Sequence, residues 1–351
     1  IVFGDWSSDV CSSDLIVHLA PCFGADDFRT CKKHGIGSLL LVDREGKFIQ
    51  GMGDLSGRFV KNQFDPNLTE TDVTVDVDIA VMLKKENKAF KIEKHTHSYP
   101  HCWRTDKPVL YYPLDSWFIK TTAVRERMIE LNNTINWKPE STGTGRFGKW
   151  LENLVDWNLS RSRYWGTPLP IWASEDYSEI KCIGSVEELK NEIIKSVKAG
   201  VMKSDPWPDF VPGNFSNSNY NLIDLHKPFV DQIVLISDSG KPMHREPDLI
   251  DVWFDSGAMP YAQFHFPFEI NEKLNSVFPA DFIAEGVDQT RGWFFTLHAL
   301  ATMLFDSVAF KNIISNGLVL DKNGNKMSKR LGNAVDPFET IHKFGSDPLR
   351  W

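Results

Sequence analysis

The chain has 351 residues, of which 42% are hydrophobic, 25% charged and 12% aromatic. That length fits about two domains, and the composition excludes intrinsic disorder, collagen-like repeats and a disulfide-stapled miniprotein. Lys+Arg 39 against Asp+Glu 47 leaves a net charge of -8, which excludes a uniformly basic nucleic-acid binder and confines any RNA contact to a local patch.

Five cysteines (Cys11, Cys22, Cys31, Cys102 and Cys182) form no C-x-x-C pair, as expected of thiols in a reducing compartment. Ile1 to Leu15 mixes Asp, Ser and Gly with apolar residues and does not read as a signal peptide. The longest apolar stretch, Phe294 to Phe305, is too short to span a bilayer and contains His298 and Thr302. A soluble, cytoplasmic protein without a membrane partner is expected. The chain begins without Met and stops at Trp351 inside an apparent helix start, SDPLRW, as a piece of something longer would.

In chain order, GSLLLVDREGKFI (Gly37 to Ile49) reads as a hairpin about an Arg-Glu-Gly turn. DVTVDVDIAVMLKK alternates through Val73, Val75 and Val77, then takes helical spacing at Ile79, Met82 and Leu83. Residues 1–105 thus read as a small mixed α+β unit, closed by the Pro-punctuated SYPHCWRTDKPVLYYP. Residues 106–351 alternate strand and helix signals. DSWFIKT is a strand, AVRERMIELNNTI a helix with Val124, Met128, Ile129 and Leu131 on one side, RFGKWLENLVDWNL a helix, and TPLPIW a strand. Residues 173–244 are polar, hold one local helix (VEELKNEIIKSVK) and read as an insertion. Strands at LIDVWF, ADFIAEG and NIISNGLVLD follow, with a helix at RGWFFTLHALATMLF. This alternation predicts an α/β fold with a parallel sheet between helices.

Two segments carry chemistry. In ADFIAEGVDQTRGWFFTLHALATMLF, a short strand (Phe282 to Ala284) runs into an acidic loop and then a helix burying Phe294, Leu297, Ala301 and Leu304. Loops leaving the carboxyl ends of parallel strands form the ligand crevice of open α/β sheets. Glu285, Asp288 and Gln289 would there face hydroxyl or ammonium donors. A purely structural alternative has Asp288 or Thr290 capping the helix and Glu285 solvated. In NGLVLDKNGNKMSKRLGN, a strand at Leu318 to Leu320 meets an Asn-Gly turn, and Lys326, Lys329 and Arg330 crowd together. Mobile ammonium groups suit a polyphosphate; as a bare charge run the segment is a solvated loop.

The ordered pentapeptide Lys326-Met327-Ser328-Lys329-Arg330 resembles the KMSKS loop of class I aminoacyl-tRNA synthetases. With DVWFDSG (Asp251 to Gly257), EGVDQTRGWFF (Glu285 to Phe295) and NLSRSRYWGTPLPIW (Asn158 to Trp172), the chain from about Ile16 to Trp351 resembles the isoleucyl-tRNA synthetases. The resemblance implies the second half of a Rossmann-like catalytic domain plus part of an editing domain of mixed α+β, barrel-like type. It also implies a ligase that activates isoleucine with ATP and transfers it to tRNA(Ile), Mg²⁺ accompanying the phosphates. Glu285, Gly286, Asp288 and Gln289 then hold the aminoacyl-adenylate, and Trp253 and Trp293 wall the isoleucine pocket. Lys326 and Lys329 bind ATP phosphates, and Gly317 lets the backbone approach adenine. Arg161, Arg163 and Trp165 lie near the tRNA 3′ end, unless the arginines serve structural ion pairs. IVHLAPCFGADDF (Ile16 to Phe28) is similar to the editing segment, so His18 and Asp27 line a hydrolytic pocket that removes mischarged valine. The full-length protein is expected to act as a monomer.

The chain also departs from the family. Ile1 to Leu15 do not match it, and none of the ten histidines forms a His-x-Gly-His pattern, so this piece alone is expected to be inactive. Cys102 lacks a C-x-x-C partner and Ser237–Asp238–Ser239 lacks thiols. Zinc is therefore not expected, despite the cluster His95, His97, His101 and Cys102. Two other readings stay open: a synthetase-derived binding module without catalysis, and a valyl-type class I synthetase.

Overall fold

The computed structural model describes residues 19–69, 71–94, 96–102, 105–269, 272–327 and 332–350. The chain divides into two compact units, 1–115 and 116–351, later than the boundary at 105/106 expected from the proline-rich stretch. In the first unit, α1 (Ala25–Lys33) carries Asp26 and Asp27 in its first turn and Lys32 and Lys33 in its last, matching the helix dipole. The Gly37–Ile49 hairpin closes as one bridge, Val42 with Phe48, over a turn in which Asp43 accepts from the Glu45 and Lys47 amides and Gly46 takes a positive φ. The valine alternation at 73–77 forms no strand. Helix α2 (Val75–Lys85) starts inside it, with Asp76 and Asp78 in the first turn and Lys84 and Lys85 in the last. Helical spacing and end charges outweigh a three-residue alternation that finds no partner strand.

The second unit opens with β1 (Phe118–Ile119), α3 (Arg125–Asn132), β2 (Asn136–Lys138) and α4 (Gly148–Glu152). Helix α4 follows a π-helical segment, Thr142–Phe147, so the aromatic helix expected there is only partly α. Strands β3 (Trp157–Asn158) and β4 (Ser160–Arg161) come next. Residues 171–245 then make a body of their own. Strands β5 (Ile171–Ser174), β6 (Ile180–Cys182), β7 (Leu235–Ile236) and β8 (Pro242–Arg245) pair antiparallel in the order β6-β5-β8-β7. Between β6 and β7 lie α5 (Val186–Lys198), α6 (Asn217–Tyr220) and α7 (Lys227–Val230). Ser185 caps α5 through the Glu188 amide. Trp172, Ile193, Trp207, Ile233, Leu235 and Met243 form a separate core, so this segment folds around its own apolar residues.

After β9 (Leu249–Ile250) come α8 (Val252–Ala262), α9 (Glu272–Val277), β10 (Ile283–Gly286), α10 (Trp293–Phe305) and β11 (Asn312–Asn316), then α11 (Pro337–Phe344) and α12 (Ser346–Arg350). The expected strand at LIDVWF stops at Ile250, because Asp251 starts a helix there. The parallel sheet has the order β10-β11-β2, with Ile283, Ile313 and Trp137 in register across it. Its core packs Ile313, Trp137 and Phe147 against Phe294, Leu297 and Leu300 of α10. Leu304, expected inside, is 59% exposed near the end of that helix. His298 is fully buried instead: its Nε2 lies 2.8 Å from the Met128 carbonyl, and its Nδ1 has no partner among the described residues. Burial pulls its pKa down to about 4, so the imidazole is neutral.

Candidate functional site

Strands β10 and β11 run parallel, pairing Glu285 with Ser315 and Gly286 with Asn316. Both chains therefore leave the sheet at its carboxyl edge, the edge that binds ligands in open α/β folds. From β10 the chain enters a 3-10 turn, Val287–Arg291, and then α10. Gly286 leaves room for the Asp288 carboxylate: a Cβ there would lie 2.6 Å from Asp288 Oδ1, the end of an exposed side chain that would have to turn away. Glu285 and Asp288 are exposed at this edge. Neither Asp288 nor Thr290 caps α10. Gln289 does so, its Oε1 accepting from the Trp293 amide at 3.1 Å. Thr290 is buried; its hydroxyl donates to the Val287 carbonyl (2.7 Å) and accepts from Arg146 Nε (2.9 Å).

Trp253 and Trp293 come together on the starts of α8 and α10. The Trp293 indole N–H donates to the Ser256 carbonyl at 3.0 Å, tying the helices together. The Trp253 indole reaches Gly292, where an added Cβ would sit 3.4 Å from its Cη2 and 2.8 Å from Gln289 Oε1. Trp253 remains 41% exposed, so the indole is available to a ligand rather than sealed in the core. Gly257 lets the helices close: a Cβ there would lie 3.0 Å from both Leu300 Cδ1 and Thr296 Cβ. Asp251 caps α8, accepting from the Trp253 amide. Asp255, on the same helix, has its carboxyl raised by burial, against a hydrogen bond from Thr167.

The lysine loop leaves β11. Leu318 to Leu320 do not form the expected strand; β11 ends at Asn316, and beyond it Leu320 makes an isolated bridge to Lys326. Asp321 organises the turn. Its Oδ1 accepts from the Asn323 and Asn325 amides at 2.9 Å, and its Oδ2 accepts from Asn333 Nδ2 at 2.9 Å, joining the two sides of the loop. The Asn333 amide first, then the Asn325 amide, holds this carboxyl below its ordinary range. Gly324 takes φ +79 in the turn. Lys326 and Met327 are exposed or half-buried there, whereas Ser328, Lys329 and Arg330 lie outside the described residues. Among the described residues, no atom lies within 4 Å of a would-be Cβ at Gly317.

Of the arginines, Arg161 makes the structural ion pair, 2.6 Å from Asp251. Arg163 is exposed, and Trp165, 70% exposed, stacks on His226 with ring centroids 4.2 Å apart. His18 lies outside the described residues. Asp27, partly buried in the first turn of α1, accepts from the Ala20 amide at 2.8 Å.

The family described as tRNA synthetases class I (I, L, M and V) matches residues 60–351. The chain belongs to the class I tRNA synthetases. An isoleucine–tRNA ligase of Bacteroides fragilis is 67% identical over 96% of the chain, and one of Porphyromonas gingivalis is 65% identical over the same share. One of Clostridium acetobutylicum is 46% identical over 100% of it. The chain spans about a third of the length of these relatives, 30–32% of each.

The synthetase edge holds groups that the sequence did not single out. Asp251 opens the DVWFDSG segment, and an Asp directly before helically spaced apolar residues is a cap signal. Asp321, two residues before Asn323–Gly324, is the acceptor position of an Asx turn. Gly292 and Gly257 gave no sequence signal, because their need arises from helices that meet only in space.

Proposed function

We propose that this chain carries the adenylate-holding edge of an isoleucine–tRNA ligase, which forms isoleucyl-adenylate from isoleucine and ATP and transfers it to tRNA(Ile). The observation that carries this reading is the register of Gly286 with Asn316, which brings the acidic loop and the lysine loop to one sheet edge. The isoleucine–tRNA ligase relatives support isoleucine as the substrate. Glu285, Gly286, Asp288 and Gln289 hold the adenylate, Trp253 and Trp293 wall the side-chain pocket, and the backbone at Gly317 approaches adenine. Residues 116–351 are then the second half of the catalytic domain, with the 171–245 body inserted, and the first unit is the C-terminal part of the editing domain.

The chemistry asks for position and charge more than for proton transfer. The isoleucine carboxylate is already an anion. Its oxygen bonds to the α-phosphorus as the bond to pyrophosphate breaks, and a hydroxyl at the tRNA 3′ end later displaces AMP from the carbonyl carbon, its proton leaving with the departing phosphate. Lys326 and Lys329, on an Asp321-braced loop, neutralise the departing pyrophosphate. Mg²⁺, where it accompanies the nucleotide, would be held through the phosphate oxygens, as this ion usually is. An apolar pocket separates isoleucine from valine by one methylene, worth only about 1–3 kcal/mol; this amino-acid pair is the standard case. Editing at Asp27 and His18 removes the valine that escapes. The protein works as a cytoplasmic monomer.

ATP–pyrophosphate exchange by the full-length protein tests the reading. Exchange should depend on isoleucine, run far slower with valine, and collapse in Lys329→Ala. Equal exchange with both amino acids, or exchange indifferent to Lys329→Ala, overturns it.

A further inference from the structure

We propose that Asp251 is a positioning residue for the amino-acid pocket: clamped by Arg161 and Trp157, its carboxylate fixes the first turn of α8 and with it the Trp253 indole. The inference rests on the reading of Trp253 and Trp293 as pocket walls. Asp251 is 3% exposed, and protein donors reach both of its carboxylate oxygens. Oδ1 accepts from the Trp253 amide at 3.2 Å; Oδ2 accepts from Trp157 Nε1 at 3.1 Å and Arg161 Nη2 at 2.6 Å. The Asp251 amide in turn donates to the Leu159 carbonyl at 2.7 Å, and β4 pairs with β9 to put Arg161 opposite Leu249. The residue that starts α8 is therefore pinned from the β3–β4 side.

The far side of the helix is equally constrained. Gly257 presses α8 onto Thr296 and Leu300, and Trp293 holds the Ser256 carbonyl. With both faces of α8 fixed, the free variable at its N-terminus is the carboxylate cap. Trp253 lies two residues beyond it, its Cη2 3.4 Å from where a Gly292 Cβ would be. A carboxylate is an acceptor on both oxygens, and this site presents donors to both. An amide offers one acceptor and one donor, so it satisfies either the Trp253 amide or the Trp157–Arg161 side, never both. Arg161, whose side chain is 38% exposed, is the replaceable part of the clamp.

The test uses the full-length protein and measures KM for isoleucine and for ATP separately in pyrophosphate exchange, beside the melting temperature. Asp251→Asn should raise the isoleucine KM about tenfold, the scale of a lost cap, Arg161→Met should raise it several-fold by loosening the carboxylate, and both should leave the ATP KM within about twofold. Arg161→Lys, which keeps a cationic donor, should recover most of the loss. A purely structural role would lower the melting temperature and shift both constants together, and that result overturns the proposal. If Asp251→Asn does not fold, Arg161→Met decides alone: an unchanged isoleucine KM refutes the clamp. Trp253→Ala separates the two readings. Should it raise the isoleucine KM while folded Asp251→Asn and Arg161→Met do not, the clamp fails and the pocket stands. Should Trp253→Ala itself leave that KM unchanged, the pocket assignment fails and the clamp falls with it.

Discussion

Replacing His298 with Gln should flatten the acid side of the stability profile. The imidazole is fully buried against Phe147, with ring centroids 5.8 Å apart, and Nε2 meets the Met128 carbonyl at 2.8 Å. That carbonyl requires a donor at Nε2, which leaves Nδ1 as a buried acceptor without a partner among the described residues. Burial lowers the folded pKa from 6.5 to about 4. The folded state therefore binds fewer protons than the unfolded chain, and stability present in full above pH 6.5 is lost as pH falls towards 4. The gap corresponds to a loss of about 3 kcal/mol by pH 4 from this group alone. Gln at 298 can still donate to the Met128 carbonyl and does not titrate. Carboxylates protonate in the same window, but equally in both proteins, so the difference between them isolates the imidazole. Urea unfolding followed by tryptophan fluorescence at several pH values from 7.5 to 4.5 measures it. The wild type should lose ground to the variant steadily below pH 6.5. Parallel profiles would refute a neutral buried imidazole.

Other perturbations follow from single contacts. Gly143→Ala would place a Cβ 2.4 Å from the Trp137 indole, whose Nε1 also donates to Asn132; overpacking of this kind should cost about 1–3 kcal/mol or more, read as a lower urea midpoint. Asp321→Ala frees both sides of the lysine loop and should lower pyrophosphate exchange roughly tenfold through the ATP KM, with the melting temperature nearly unchanged because the loop is exposed. Asp27→Ala should abolish hydrolysis of Val-tRNA while adenylation proceeds; intact hydrolysis would leave Asp27 only its hydrogen bond to Ala20.

The sequence was most informative where signals were local. The amphipathic run VEELKNEIIKSVK coincides with α5 at both ends, and the ordered motifs pointed to the family, because they lie in short continuous segments. It failed where structure depends on partners distant in the chain. Strands such as β3 and β4 are two residues long, too short for any period, and exist because Ile119 pairs with Trp157 and Ser160 with Ile250. The Arg161–Asp251 ion pair joins residues 90 apart, so neither motif alone announces it. The valines at 73–77 misled for a different reason: alternation counts only where another strand receives it, and the charges around α2 favour a helix. At the edge itself, Gln289 rather than Asp288 became the cap because Gly292 opens the helix start to its side chain.

The central claim is that the carboxyl edge of β10 and β11 holds the adenylate. A crystal structure of the full-length protein with a non-hydrolysable isoleucyl-adenylate analogue tests it most directly. The ribose should lie within hydrogen-bond reach of the Gly286–Gln289 segment, with the isoleucine side chain between Trp253 and Trp293. An analogue bound away from that edge, with both indoles untouched, would contradict it.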